Sequence, residues 1–274
     1  MEKLIRRTKE EKTLLHIKAI SAELRRFFLI ELQYPLHLIG TVITLYLLFR
    51  AITWGSSLIS TPMAGEAYQE GITERLIGFV FFIVMSSIMQ QGPVLVQEES
   101  ILGVFEQVYL SPLGIAYIVL CRGLSTLIIG LAPMLLMFGL GVLTLPIQLR
   151  SFSIMIPIVI LIGALGMLGI GYLLTGLGLL FKKTNAIVTI LTLLLLAISS
   201  IPLTQLSATM LFFVRSFPFT QSNRMVTMYL TSRIPLVEDY IFLITSSLFI
   251  FVIGLFFLQY CEKVAKRKGL LGKY

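Results

Sequence analysis

Six stretches of 19 or more largely apolar residues dominate this chain: 36–54, 76–96, 124–145, 154–180, 187–206 and 240–260. About 20 such residues, at 1.5 Å rise each, cross the ~30 Å hydrocarbon layer as an α-helix, so each stretch predicts a membrane span. Barrel strands would instead show alternating stretches of ~10 residues. Only 13% of the residues are charged, against about 25% in a soluble domain, which is too few to cover a water-facing surface. The expected fold is therefore an all-α membrane protein. Its parts are a cytoplasmic N-terminal segment over 1–31, a six-helix transmembrane domain over 32–260 and a basic cytoplasmic tail over 261–274.

Lysine and arginine set the expected orientation. With the N-terminus inside, sixteen of the 22 basic residues fall on inner segments, among them Lys3, Arg25, Arg26, Arg122, Lys182, Lys183 and Lys263. The other six, Arg50, Arg75, Arg150, Arg215, Arg224 and Arg233, fall outside. The positive-inside rule thus predicts both termini in the cytoplasm. Basic flanks against anionic headgroups account for the net charge of +8 without nucleic acid.

Between and before the spans the pattern is informative too. Leu14, Ile17, Leu24 and Phe28 recur at helical spacing among Lys18, Arg25 and Arg26, which predicts an amphipathic helix on the inner membrane surface rather than a solvated tail. It turns into the first span near Tyr34-Pro35. The fourth span exceeds what the bilayer requires and must tilt, protrude or break, with Pro157 the expected bend. The loop over 207–239 contains LFFVRSFPF and MVTMYL, too apolar for a loop in water and too short to span. It is expected to re-enter the membrane or to form short helices at its outer face, with a folded outer cap as the plainer alternative.

Several chemistries have no signature here. No phosphate-cradling G-x-x-x-x-G-K-[ST], no H-E-x-x-H and no G-x-S-x-G occurs. GIGYLLTG in the fourth span fails the dinucleotide spacing at Leu174 and is better read as close helix packing. His16 and His37 lack metal-ligand spacing, and Cys121 and Cys261 read as free thiols near inner helix ends. None of the six spans holds Asp or Glu, which argues against an ion-coupled carrier. Gln90 and Gln91, near the inner end of span two, are expected to hydrogen-bond neighbouring helices rather than cargo. The chain has a transporter's architecture without a visible energy source, so a cytoplasmic partner is expected to supply it.

The inner segment QEESILGVFEQVYLSPLG, 97–114, is suited to dock such a partner. Ile101, Val104 (or Phe105) and Val108 line one helical stripe, its acids at the start suit the positive end of a helix dipole, and Ser111-Pro112 ends the element. The segment resembles the cytoplasmic signature of type-2 ATP-binding-cassette (ABC) exporter permeases, approximately E-x-E-x-G-T-L-E-Q-L-x-x-S/T-P after the second span. Glu99, Gly103, Glu106, Gln107, Ser111 and Pro112 occupy its marked positions, while Val104, Phe105 and Ile101 depart from it. The likeness extends over nearly the whole chain through the inner amphipathic helix, the six spans, the FKKTNA turn and SFPFTQSNR before the last span.

The resemblance implies a transport subunit rather than an enzyme, with no cofactor on this chain and with ATP and magnesium on a partner. It implies a coupling helix after span two in contact with a cytoplasmic ABC ATPase, a role carried over to Glu98, Glu99, Gly103, Glu106 and Gln107. It also implies a second permease chain, expected to be identical because symmetric assemblies are common. The protein is expected in a prokaryotic plasma membrane among lipids, exporting a drug, antibiotic, lipid or other amphiphile. A polysaccharide or teichoic-acid-like polymer is the alternative cargo, although ELRRFFLIELQYP lacks the Arg-Asp pair of that branch. An assembly scaffold and a secondary carrier are further alternatives.

Overall fold

A helix of 36 residues, Glu66–Ile101, forms the axis of the molecule. Over its most apolar window 83% of the residues are buried, against 11% in the first long helix, so the other helices pack around it. The computed structural model describes residues 18–30, 32–59, 66–101, 111, 113–147, 153–181, 184–200, 215–231 and 233–267. In chain order the helices are α1 (18–30), α2 (Pro35–Ile59), α3 (Glu66–Ile101), α4 (Gly114–Ile129), α5 (Leu131–Thr144), α6 (Met155–Phe181), α7 (Asn185–Ser200), α8 (Pro218–Leu230) and α9 (Val237–Arg267).

Five helical segments are long and apolar enough to cross a membrane: α2, α3, α4 with α5, α6 and α9. The sixth expected span, 187–206, coincides with α7, a shorter apolar helix of 16 residues; positions 201–206 lie outside the described residues. Local chemistry sets several ends. Pro35 and Pro218 occupy first helical positions, where a missing N–H costs nothing. Glu238 and Asp239 stand in the first turn of α9 and Lys266 and Arg267 in its last, each complementing the helix dipole.

Helices α3, α6 and α9 run in the same direction, and glycines set their separation. A Cβ on Gly169 would stand 2.6 Å from the Phe251 backbone, and one on Gly254 would strike the Gly169 carbonyl. The glycines of the fourth span therefore bring α6 and α9 into backbone contact, as their number predicted. Between α3 and α6 the fit repairs a defect. Pro93 has no N–H for the Met89 carbonyl four residues earlier. That carbonyl faces Gly171, whose Cβ position would lie 3.0 Å from it, so the α6 backbone covers it closely with Cα–H groups.

Two proline expectations change places. Helix α6 runs unbroken from Met155, and Pro157 sits in its first turn, where no intrahelical N–H is needed, so it is not a bend. The third span, expected to be continuous over 124–145, is interrupted at Gly130. Pro133 is the physical cause: it cannot donate to the Ile129 carbonyl, and its ring crowds that carbonyl. The amphipathic N-terminal helix is present over 18–30, with one face turned to the protein and apolar Phe28 of the expected stripe left exposed. Ile20, Glu23, Leu24 and Phe27 turn inward, while Phe28 is 57% exposed; Leu14 and Ile17 lie outside the described residues.

Each end of the bundle holds its own group of charges. One end gathers α1, the end of α3, the start of α4 and the ends of α6 and α9. There Leu95, Val119, Leu179, Leu258 and Ala265 share one apolar cluster, and Gln97 Nε2 donates to Thr184 Oγ1 at 3.1 Å. Helix α8 lies towards the opposite end, against α3, α6 and α9. Its first residue, Pro218, meets Gly166. Gly166 is eleven residues into α6, about 16 Å along the axis at 1.5 Å per residue. A short helix thus penetrates deep among the long ones.

Candidate functional site

The end of α3 holds a cluster of four charges. The Arg122 guanidinium on α4 donates to Glu99 Oε1 on α3 at 2.5 Å, and both side chains are more than nine-tenths buried. Arg122 Nε lies 3.5 Å from Glu23 on α1. Half-exposed Arg26 lies 3.7 Å from Glu99 and 3.9 Å from Glu23. Two carboxylates and two guanidiniums cancel, which is the condition for keeping charge in an apolar setting. The cluster ties three elements together: the N-terminal helix, the end of the axial helix and the start of α4.

The structure revises how the acids are stabilised. Glu98 and Glu99 do not begin a helix; they stand in the last described turns of α3. Arg122 and Arg26 supply the positive charge beside Glu99 that a helix N-terminus was expected to supply. Glu98 is exposed and free to meet a partner, while Glu99 is turned into the protein. Gly103, Glu106 and Gln107 lie outside the described residues, as does Pro112. Ser111 Oγ accepts from the Leu113 N–H, and Gly114 takes a φ of +72°, a left-handed conformation that favours glycine, as α4 begins.

In the sequence Arg122 counts only as inner positive charge, and Glu23 carries no expected role. A signal for Arg122 existed: it is the lone charge between Gly114 and Leu149, so burial with a counter-ion was to be expected. Its partners were not readable, since they lie on two other helices.

Beside this cluster, between α2, α3 and the α4–α5 break, lies a cleft of about 370 Å³. Leu45, Phe82 and Ile83 line its apolar part, and Ile129, Gly130 and Pro133 form the wall at the break. Gln91 also lines it. Its Nε2 donates to the Ser87 carbonyl in its own helix at 3.4 Å, not to a neighbouring helix as expected.

The far end holds a second charged group around Asp239, which is 3% exposed. Arg215 donates to Asp239 Oδ1 at 2.5 Å, Arg224 at 3.2 Å and Gln221 Nε2 at 3.1 Å. Oδ2 accepts from the Leu236 backbone N–H at 3.2 Å. Burial first, then neighbouring Arg215, hold the Arg224 pKa below its ordinary value, while Asp239 pulls it back up. This group pins α8 to α9. Cys121 and Cys261 are both free and buried. Among the described residues, no three His, Cys, Asp or Glu side chains gather to hold a metal ion.

These features define an all-helical protein with five helices able to span a membrane and a buried charge clamp at one end. Compared with known proteins, the chain matches no family model and no curated protein.

Proposed function

We propose that this chain is the membrane-spanning subunit of an ATP-driven exporter of the type-2 ABC kind. In this reading a cytoplasmic ATPase docks on the segment that follows α3, and Glu98, Glu99, Gly103, Glu106 and Gln107 form or brace the docking surface. Five apolar helices and the shorter α7 make up six spans, with both termini in the cytoplasm of a prokaryotic cell. A second copy of the chain completes the pathway, and the cargo is a drug, antibiotic, lipid or other amphiphile. ATP and magnesium belong to the partner.

One observation supports the proposal: Glu99, a signature residue, stands in the last described turn of the axial helix and is clamped to Arg122 of α4. Force applied beyond Ile101 acts directly on α3, about 54 Å long at 1.5 Å per residue. The Glu99–Arg122 clamp passes the same force to α4 and α1. The opposite half of α3 touches α7 and α8, where a Cβ on Gly78 would lie 2.5 Å from the Ser199 carbonyl. Helix α8, set among α3, α6 and α9, is placed to act as an outer gate.

Copurification from native membranes tests the reading, followed by ATP hydrolysis with and without cargo. The expected result is a bound cassette ATPase stimulated by cargo and weakened or uncoupled by Glu106→Ala at unchanged membrane abundance. A bound ATPase indifferent to cargo would point to a scaffold. Export driven by an ion gradient without any ATPase would point to a secondary carrier and overturn the proposal.

A further inference from the structure

The cleft between α2, α3 and the α4–α5 break differs from an ordinary crevice between helices in three respects. Its lining carries no formal charge. Thr126, which lines it, is 8% exposed, and its hydroxyl has no hydrogen-bond partner among the described residues. Pro133 leaves the Ile129 carbonyl at its wall without the usual helical donor. An unpaired polar group in an apolar setting costs free energy that a ligand's hydrogen bond recovers.

The donor balance defines the chemistry of that ligand. Ser86 and Ser87 spend their hydroxyl protons on the Ile83 carbonyl, and one of the two Gln91 Nε2 protons goes to the Ser87 carbonyl. What remains is of both kinds: the Thr126 hydroxyl and the second Gln91 N–H can donate, and the serine oxygens, the Gln91 side-chain carbonyl and the Ile129 carbonyl can accept. A complementary ligand both donates and accepts hydrogen bonds, as a hydroxyl does. The nearby guanidiniums do not call for an anion, because Glu23 and Glu99 already balance Arg26 and Arg122. The volume of about 370 Å³ lies within the ~300–1,000 Å³ range of small-molecule sites. A proline inside a span also frees a carbonyl that, at membrane depth, needs a polar neighbour.

We infer that this cleft binds an uncharged amphiphile with one aliphatic chain and a hydroxyl-bearing neck. The chain lies against Leu45, Phe82 and Ile83, and the neck hydroxyls face Thr126, Gln91 and the Ile129 carbonyl. The inference concerns binding alone and stands whether or not the protein is an exporter.

The test uses the full chain in phosphatidylcholine nanodiscs with a monoacylglycerol carrying a diazirine in its acyl chain. Two comparison probes share that chain: a fatty acid and a phosphatidylglycerol. The expected result is saturable labelling by the monoacylglycerol of peptides containing Leu45 and Phe82–Ile83. The unlabelled molecule should compete, and both anionic probes should label at least several-fold less. Leu45→Trp fills the cleft and should abolish the saturable labelling. Thr126→Val keeps the shape but removes the hydroxyl; it should raise the half-saturating concentration about five-fold, the worth of one net hydrogen bond. Its melting temperature should be unchanged or higher, because an unpartnered buried hydroxyl is gone. Labelling that does not saturate, equal labelling by the charged probes, or saturation unaffected by Thr126→Val would overturn the inference.

Discussion

Glu99 and Arg122, 23 positions apart in the chain, meet at 2.5 Å in a buried ion pair. The pair joins the last described turn of α3 to the third turn of α4 across the segment that bears the signature residues. Whatever docks on that segment meets two helices that respond as one.

Arg122→Ala leaves Glu99 buried, with only half-exposed Arg26 nearby at 3.7 Å. Removing one partner of a buried pair costs about 3–5 kcal/mol. The variant is expected to lose most of its thermal resistance in detergent. Glu99→Gln should lose less, because it discards the acid charge and Arg122 retains Glu23 at 3.5 Å. Equal melting of all three proteins would show the pair to be energetically idle.

Gly254→Leu is expected to separate α6 from α9, since any Cβ at Gly254 strikes the Gly169 carbonyl. Gly139→Ala is the control, with nothing within 4 Å of the added methyl. It should be neutral or stabilising by up to about 1 kcal/mol through helix propensity. Fluorescence-detected size exclusion separates the outcomes: an aggregated first variant and a monodisperse second one.

Asp239→Asn removes the anion that Arg215, Arg224 and Gln221 share. Two partly exposed guanidiniums then lose their counter-charge, and Arg224, already lowered in pKa by burial, loses the neighbour that raises it. Helix α8 should loosen while the long helices persist. Hydrogen exchange should rise in peptides covering 218–230 and stay constant in those covering 163–178. Unchanged protection of α8 would show that its apolar contacts alone hold it.

Glu98 and Arg233 are both exposed and lie at opposite ends of the bundle. With Cys121 and Cys261 replaced by serine, a membrane-impermeant maleimide should label Arg233→Cys in intact cells. Glu98→Cys should react only after permeabilisation. The reverse pattern would invert the proposed orientation, and labelling of both in intact cells would remove α3 as a span.

Sequence alone located the apolar helices, because the length of a bilayer-crossing helix and the cost of burying charge are read residue by residue. It also separated the two groups of charges, placing Arg122 and Lys263 on one side and Arg215 and Arg233 on the other. The Gly130–Pro133 break was legible in principle, since a proline inside an apolar run always frees a carbonyl. Tertiary structure alone decided the rest. Glu98 and Glu99 are identical neighbours in sequence, yet one is exposed and the other buried, because a step of one residue turns a helix by about 100°. Arg122 became a clamp, and Thr126 the polar point of a cleft, only when α1, α2 and α3 took their places around α4. The choice among possible counter-ions depends on helix separations, which glycines such as Gly169 and Gly254 set at contacts distant in the chain.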